Sequence, residues 1–82
     1  ELHQDLGEAY MTGGDAERAL QSFEIVLAQD AYDKANAYFQ IARAHHALGQ
    51  QDERRDNLLL ALDVAPGFRD AQRLLLEVMR TE

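Results

Sequence analysis

The chain repeats itself with a period close to 35 residues. A period of that size confines a chain to stacked-repeat folds, in which each unit buries its apolar face only against its neighbours. The first copy reads Leu6-Gly7-Glu8-Ala9-Tyr10, then Gly14, Ala19, Phe23 and Leu27. The second, 35 residues on, reads Ile41-Ala42-Arg43-Ala44-His45, then Gly49, Arg54, Leu58 and Leu62. A partial third copy follows Pro66, with Ala71, Leu75-Leu76 and Met79. Stacked repeats bind other proteins far more often than they carry out chemistry.

The apolar spacing inside each copy is helical. Leu2, Leu6, Ala9 and Tyr10 recur at steps of three and four, which predicts one inward face on a first helix. Gly13-Gly14 breaks that helix, and Asp15 is placed to cap the next, with Glu17 favourable in its first turn. Ala19, Phe23, Val26 and Leu27 form the second stripe. Asp33 caps a third helix that turns Tyr38, Ile41, Ala42 and His45 inward and ends at Gly49. Leu58, Ala61 and Leu62 mark a fourth, broken by Pro66-Gly67, and Ala71, Leu75, Leu76, Val78 and Met79 mark a fifth. The spacing predicts helices near residues 1–11, 15–29, 33–48, 51–64 and 68–81, with a turn at Asp30-Ala31 among the breaks. No stretch alternates as a strand would.

At 82 residues the chain is one small domain. Without Cys it has no disulfide framework, thiolate metal site or Cys nucleophile. Its longest apolar run, Leu58-Leu59-Leu60-Ala61-Leu62, is far short of the roughly 20 residues of a membrane span. Net charge is −7 and is unevenly placed. Residues 1–33 hold eight acids against Arg18 alone, whereas residues 34–82 hold seven acids and seven bases. Such a surface lacks the basic stripe that phosphate backbones require, so nucleic acid is not expected as a partner. The chain starts at Glu1, inside a repeat, and reads as a piece of a longer protein. A soluble, cytoplasmic setting is expected, with export left open because the chain reads as a fragment.

Small residues in the pattern have a physical use. Gly7, Ala42 and Ala19 stand where two antiparallel helices must approach closely, and Tyr10, His45 and Phe23 stand beside them as larger fillers. Taken together, His3-x-x-Leu6-Gly7-x-x-Tyr10 with Ala19-x-x-x-Phe23, and Tyr38-x-x-Ile41-Ala42-x-x-His45 with Arg54-x-x-x-Leu58, Ala61 and Pro66, resemble the tetratricopeptide repeat. The departures are His3 for an aromatic, Ala31 for Pro, Arg54 for a small residue, and one extra residue around Tyr32-Asp33. For Arg54 the expectation is a stem lying across the helix pair with its guanidinium in solvent.

The resemblance implies an all-α, right-handed stack of antiparallel helix pairs, an α-solenoid of five helices. Residues 1–33 would form a first repeat, 34–66 a second, and 67–82 an extra helix. It also implies a non-catalytic scaffold that takes a protein or peptide in its concave groove. By matched position the groove residues would be Gln4, Glu8 and Met11, then Asn36, Phe39, Arg43 and His46, then Arg73, Glu77 and Arg80. The Lys and Asn clamp by which some members hold a C-terminal carboxylate is not matched, because Gln4, Phe39 and Arg73 occupy its positions. The other function classes in play are a structural spacer or oligomerisation segment, and an accessory segment of a larger enzyme.

No constellation points to catalysis, a cofactor or a metal. Ser22 has no His at helical spacing and reads as a solvent-facing hydroxyl on the outer side of the second helix. His45 and His46 are adjacent, so they point about 100° apart on a helix and do not share a metal. His45 fills the slot of Tyr10 and reads as a packed core residue, while His46 faces elsewhere. Phe39, beside the inward Tyr38, is expected either to stand partly exposed as a recognition anchor or to pack on a neighbouring helix. The fifth helix has more apolar residues than one stripe buries. Leu74 or Val78 is expected to stand partly exposed there and to pair the chain with a second copy, as a homodimer through the C-terminal helix.

Overall fold

The computed structural model of the chain describes residues 2–29 and 33–81. Five α-helices follow one another: α1 Leu2–Thr12, α2 Ala16–Ala28, α3 Lys34–Ala47, α4 Gln51–Val64 and α5 Arg69–Thr81. No strand occurs among the described residues. The expected spans agree with these to a residue at each end. The turn expected at Asp30-Ala31 and the extra residue expected beside Tyr32 lie outside the described residues. Each helix packs chiefly on its neighbours in the chain, α1 on α2, α2 on α3, α3 on α4 and α4 on α5. That is the contact pattern of an all-α repeat stack.

Two tight turns, 35 residues apart, close the helix pairs in the same way. At the end of α1, Asp15 N–H donates to the Tyr10 carbonyl at 2.8 Å and Gly14 N–H to the Met11 carbonyl at 3.2 Å. At the end of α3, Gln50 N–H donates to His45 at 2.9 Å and Gly49 N–H to His46 at 3.2 Å. These satisfy carbonyls that a helix end otherwise leaves orphaned. The motif needs a left-handed residue, and Gly14 (φ 84°) and Gly49 (φ 74°) supply it. The next helix starts at once, so the chain reverses and the pair lies antiparallel. Asp15 caps α2 by accepting from Arg18 N–H at 3.1 Å, and Asp33 caps α3 by accepting from Asn36 N–H at 3.1 Å.

The core runs along the stack in two clusters. Ala19, Phe23 and Ile41 are buried together, with Tyr10, Met11, Leu20 and Leu27 against them. Ala42, Leu58, Ala61, Ala71 and Val78 form the other, with Tyr38, Phe39, Leu62, Phe68, Leu74 and Leu75 around it. Gly7 is the point of closest approach in the first pair. A Cβ there would lie 2.4 Å from Cε1 of the Phe23 ring, so only glycine lets α1 settle on α2.

Three expectations are corrected and a fourth is narrowed. On α1 the buried residue is Gly7, while Leu2, Leu6 and Ala9 face outward; the side they share has no helix packed over it. Ser22 is buried, because α2 lies between α1 and α3 and is covered over more than one stripe. Arg54 is only 6% exposed: the guanidinium is inside, not in solvent. On α5, Leu74 is half-buried and so partly exposed, within the expectation, but Val78 is buried at 1% exposure and neither is the barest apolar residue. The bare apolar residues of α5 are Leu76 and Met79, at 61% and 63%. The reason is that α5 turns its Ala71 and Val78 side to the preceding helices, as α3 does with Ala37 and Ala44, one period earlier.

Candidate functional site

The stack brings α1, α3 and α5 to one side of the molecule. Met11 from α1, Phe39, Arg43, His46 and Ala47 from α3, and Asp70, Arg73, Leu74 and Glu77 from α5 line a single hollow of about 380 Å³. Two further depressions continue the surface. Glu8, Met11, Thr12 and Arg43 line one of about 290 Å³ toward α1, and His46, Glu77, Val78 and Arg80 line one of about 420 Å³ toward the end of α5. Of the ten expected groove residues, the eight from Glu8, Met11, Phe39, Arg43 and His46 to Arg73, Glu77 and Arg80 therefore share one continuous surface. Gln4 and Asn36 line none of these three hollows. The spacing argument missed Asp70 and Leu74. Asp70, Arg73, Leu74 and Glu77 recur at steps of three and four, so they share the hollow-facing side of α5.

Several of these side chains are held. Phe39 is half-buried, and its ring meets that of Phe68 at a centroid distance of 5.1 Å and an interplanar angle of 55°. A tilted pair at this distance is a favourable aromatic geometry. The alternatives set out for Phe39 are therefore both partly realised, since one side packs on Phe68 while the residue also lines the hollow. Arg43 Nη1 donates to Gln40 Oε1 at 2.8 Å, and Gln40 Nε2 donates to Asn36 Oδ1 at 3.4 Å. This ladder along α3 aims the Arg43 guanidinium. Asn36 is thus linked to the Arg43 side chain through Gln40.

His46 is steadied from beneath. Arg54 of α4 donates from Nη1 to His46 Nδ1 at 2.8 Å, which leaves the ring's own N–H at Nε2. The position where the repeat pattern has a small residue thus carries a buried guanidinium that fixes a groove side chain. His45 is buried as expected and its Nδ1 pairs with Gln50 Oε1 at 2.5 Å. A carboxamide oxygen only accepts, so this nitrogen donates.

The surface can offer an apolar floor, Met11, Phe39 and Leu74, between mixed charges. Arg43, Arg73 and Arg80 stand against Glu8, Asp70 and Glu77, which suits a polar peptide better than an apolar small molecule. Among the described residues no three His, Asp or Glu side chains are grouped to hold a metal ion. No helix among them is long and apolar enough to cross a membrane.

No curated protein matches the chain. Residues 35–68 match the tetratricopeptide repeat. The matched segment takes in α3, all but its first residue, α4 and the turn that leads to α5. Repeats of this family generally mediate protein–protein interaction and are typically non-catalytic. The match covers one repeat at the centre of the chain, and the all-α stack of five helices around it is consistent with a tetratricopeptide-repeat fold.

Proposed function

We propose that the chain is a non-catalytic interaction scaffold that holds a protein or peptide segment in the groove of α1, α3 and α5. The observation that carries this is the convergence of Met11, Phe39, Arg43, His46, Arg73 and Glu77, from three separate helices, on one hollow. An extended peptide lying across the helices meets an apolar floor and alternating charges, and side chains already held by Phe68, Gln40 and Arg54 lose little freedom on binding. Glu8 and Arg80 extend the contact at either end, and Gln4 and Asn36 act at its margin. The repeats divide at 1–33, 34–66 and 67–82, so the groove crosses all three segments. The scaffold needs no cofactor, and its acidic surface turns away nucleic acid. A soluble, cytoplasmic setting suits this role.

The test is a peptide-display selection on the chain, counter-selected on Met11→Glu and Arg73→Glu. Both positions line the hollow, and Arg73 is exposed, so helicity should be retained. The expected outcome is a set of peptides that bind the parent and lose at least about tenfold in affinity on either variant, a loss of about 1.4 kcal/mol. Peptides that bind all three equally would place the binding surface elsewhere.

A second reading has its own observation. Leu76 and Met79 stand bare on α5, which fits an oligomerisation segment that pairs with a second copy through its C-terminal helix.

A further inference from the structure

The central helix shows what the two end helices lack. On α3 two faces are buried. One is Ala37, Gln40 and Ala44; the other is Ile41, Ala42 and His45, beside the half-buried Tyr38. Moving back 35 residues, the first face becomes Leu2, Asp5 and Ala9 on α1, and all three are exposed. Moving forward 34 residues, the second becomes Leu75, Leu76 and Met79 on α5, beside Gln72, and all but the half-buried Leu75 are exposed. Each end of the stack thus presents the face that its counterpart on α3 buries against a neighbouring helix.

The two bare faces carry opposite charge. On α1, Leu2, Leu6 and Ala9 span about 60° of the helix, and Asp5 and then Glu8 follow on one side. On α5, Leu76, Gln72 and Met79 span about 60°, and Arg69, Arg80 and Arg73 follow on one side. Acid-rimmed and base-rimmed apolar stripes of similar width are complementary. An antiparallel α5–α5 pair would instead set the same arginine rim against itself. The charge of the whole chain runs the same way, with all of the net −7 in residues 1–33.

We infer that copies of this chain associate head to tail, the α5 stripe of one copy docking on the α1 stripe of the next. The inference rests on the reading of α5 as a self-association surface and names the surface it meets. A contact of this kind is heterologous, so it does not stop at a dimer.

Sedimentation equilibrium on the chain and on two variants, Leu76→Glu and Leu2→Glu, tests this. Both sites are exposed, and circular dichroism checks that helicity is kept; Met79→Glu and Ala9→Glu replace them if it is not. The parent should show a mass that climbs past the dimer with concentration and falls as salt is raised. Each variant alone should lose at least about tenfold in self-association. Their equimolar mixture should form a dimer and stop there, because each supplies the face the other has lost. A parent that stays monomeric overturns both this inference and the reading of α5. A Leu2→Glu variant that dimerises as the parent does, with no gain on mixing, overturns head-to-tail docking and leaves an α5–α5 pair in its place.

Discussion

The first helix pair and the second solve one packing problem with different residues. In the first, Gly7 lies against the ring of Phe23 and Ala19 is fully buried. In the second, one period on, Ala42 meets Leu58 and Arg54 takes the place of Ala19. A larger residue on one helix is matched by a smaller one on the other, so the close approach is kept. The difference shows that the repeat specifies a volume shared between two helices, not a residue at each position. It also shows where the second pair has taken on a further task. The volume that Ala19 leaves to its neighbours is filled by Arg54, which reaches His46 at the groove.

The largest effects should come from the residues that fill these volumes. Phe23→Ala is expected to cost about 3–5 kcal/mol and Leu58→Ala about 2–5 kcal/mol, because both side chains are fully buried and little around them can collapse. Urea unfolding followed by circular dichroism measures both. If the first pair depends on its single large ring, the Phe23 loss should be the greater of the two. Equal losses would mean that the two pairs share their load evenly.

The shared-volume argument is sharpened by exchanging the sets. Gly7→Ala places a carbon 2.4 Å from Phe23 Cε1, inside any real contact, and is expected to cost about 1–3 kcal/mol despite the better helix propensity of alanine. Adding Phe23→Leu makes the first pair resemble Ala42 with Leu58. The double variant should therefore be more stable than the sum of the single losses predicts, by about 0.5–3 kcal/mol of coupling. Strict additivity would show that Gly7 and Phe23 do not share one volume.

Arg54 comes next in size. Arg54→Ala removes a buried stem and leaves His46 Nδ1 without that donor, for an expected cost of about 1–3 kcal/mol. Arg54→Met keeps much of the stem and drops the guanidinium, so it should cost less, since a buried charge repays little of its desolvation. Comparing the two melting curves separates packing from hydrogen bonding. A methionine variant as damaged as the alanine variant would put the whole effect on the guanidinium.

Much of this was legible in the sequence. Helix number and bounds followed from the period and its breakers, because Gly14, Gly49 and Pro66-Gly67 act through local backbone geometry that needs no knowledge of the rest of the chain. The inward stripes of α2, α3 and α4 were legible because each has helices on both sides. The end helices were misread for the opposite reason. Leu2, Leu6 and Ala9 are spaced for burial, and so are Leu76 and Met79, but spacing reports what a face is suited to bury and not whether a helix lies on it. Arg54 and Ser22 were misread because periodicity on one helix does not count the helices packed around it. The hollow came from Met11, Phe39, Arg43 and Arg73 by matched position, but the Arg54–His46 and Phe39–Phe68 contacts depend on how helices cross, which no single stripe encodes.

The smallest predicted effects concern how α2 and α4 begin. Each starts one residue after the same glycine turn, yet only α2 has a side-chain cap, from Asp15 to the Arg18 amide. At the matching position Gln50 makes no capping bond, and its carboxamide pairs with His45. Asp15→Ala is therefore expected to cost about 0.5–2 kcal/mol, through the lost cap. Its exposed pairing with Arg18 at 3.5 Å adds little. At Gln50 the two tasks compete. An aspartate there would gain a cap and give up the bond to His45, each worth roughly 1 kcal/mol, so Gln50→Asp should move the melting temperature by less than Asp15→Ala does. Gln50→Ala gains no cap and loses the same bond, so it should fall below Gln50→Asp. If Gln50→Asp were instead clearly stabilising, the His45 pairing would contribute nothing to the fold. The second turn would then differ from the first only in lacking a cap.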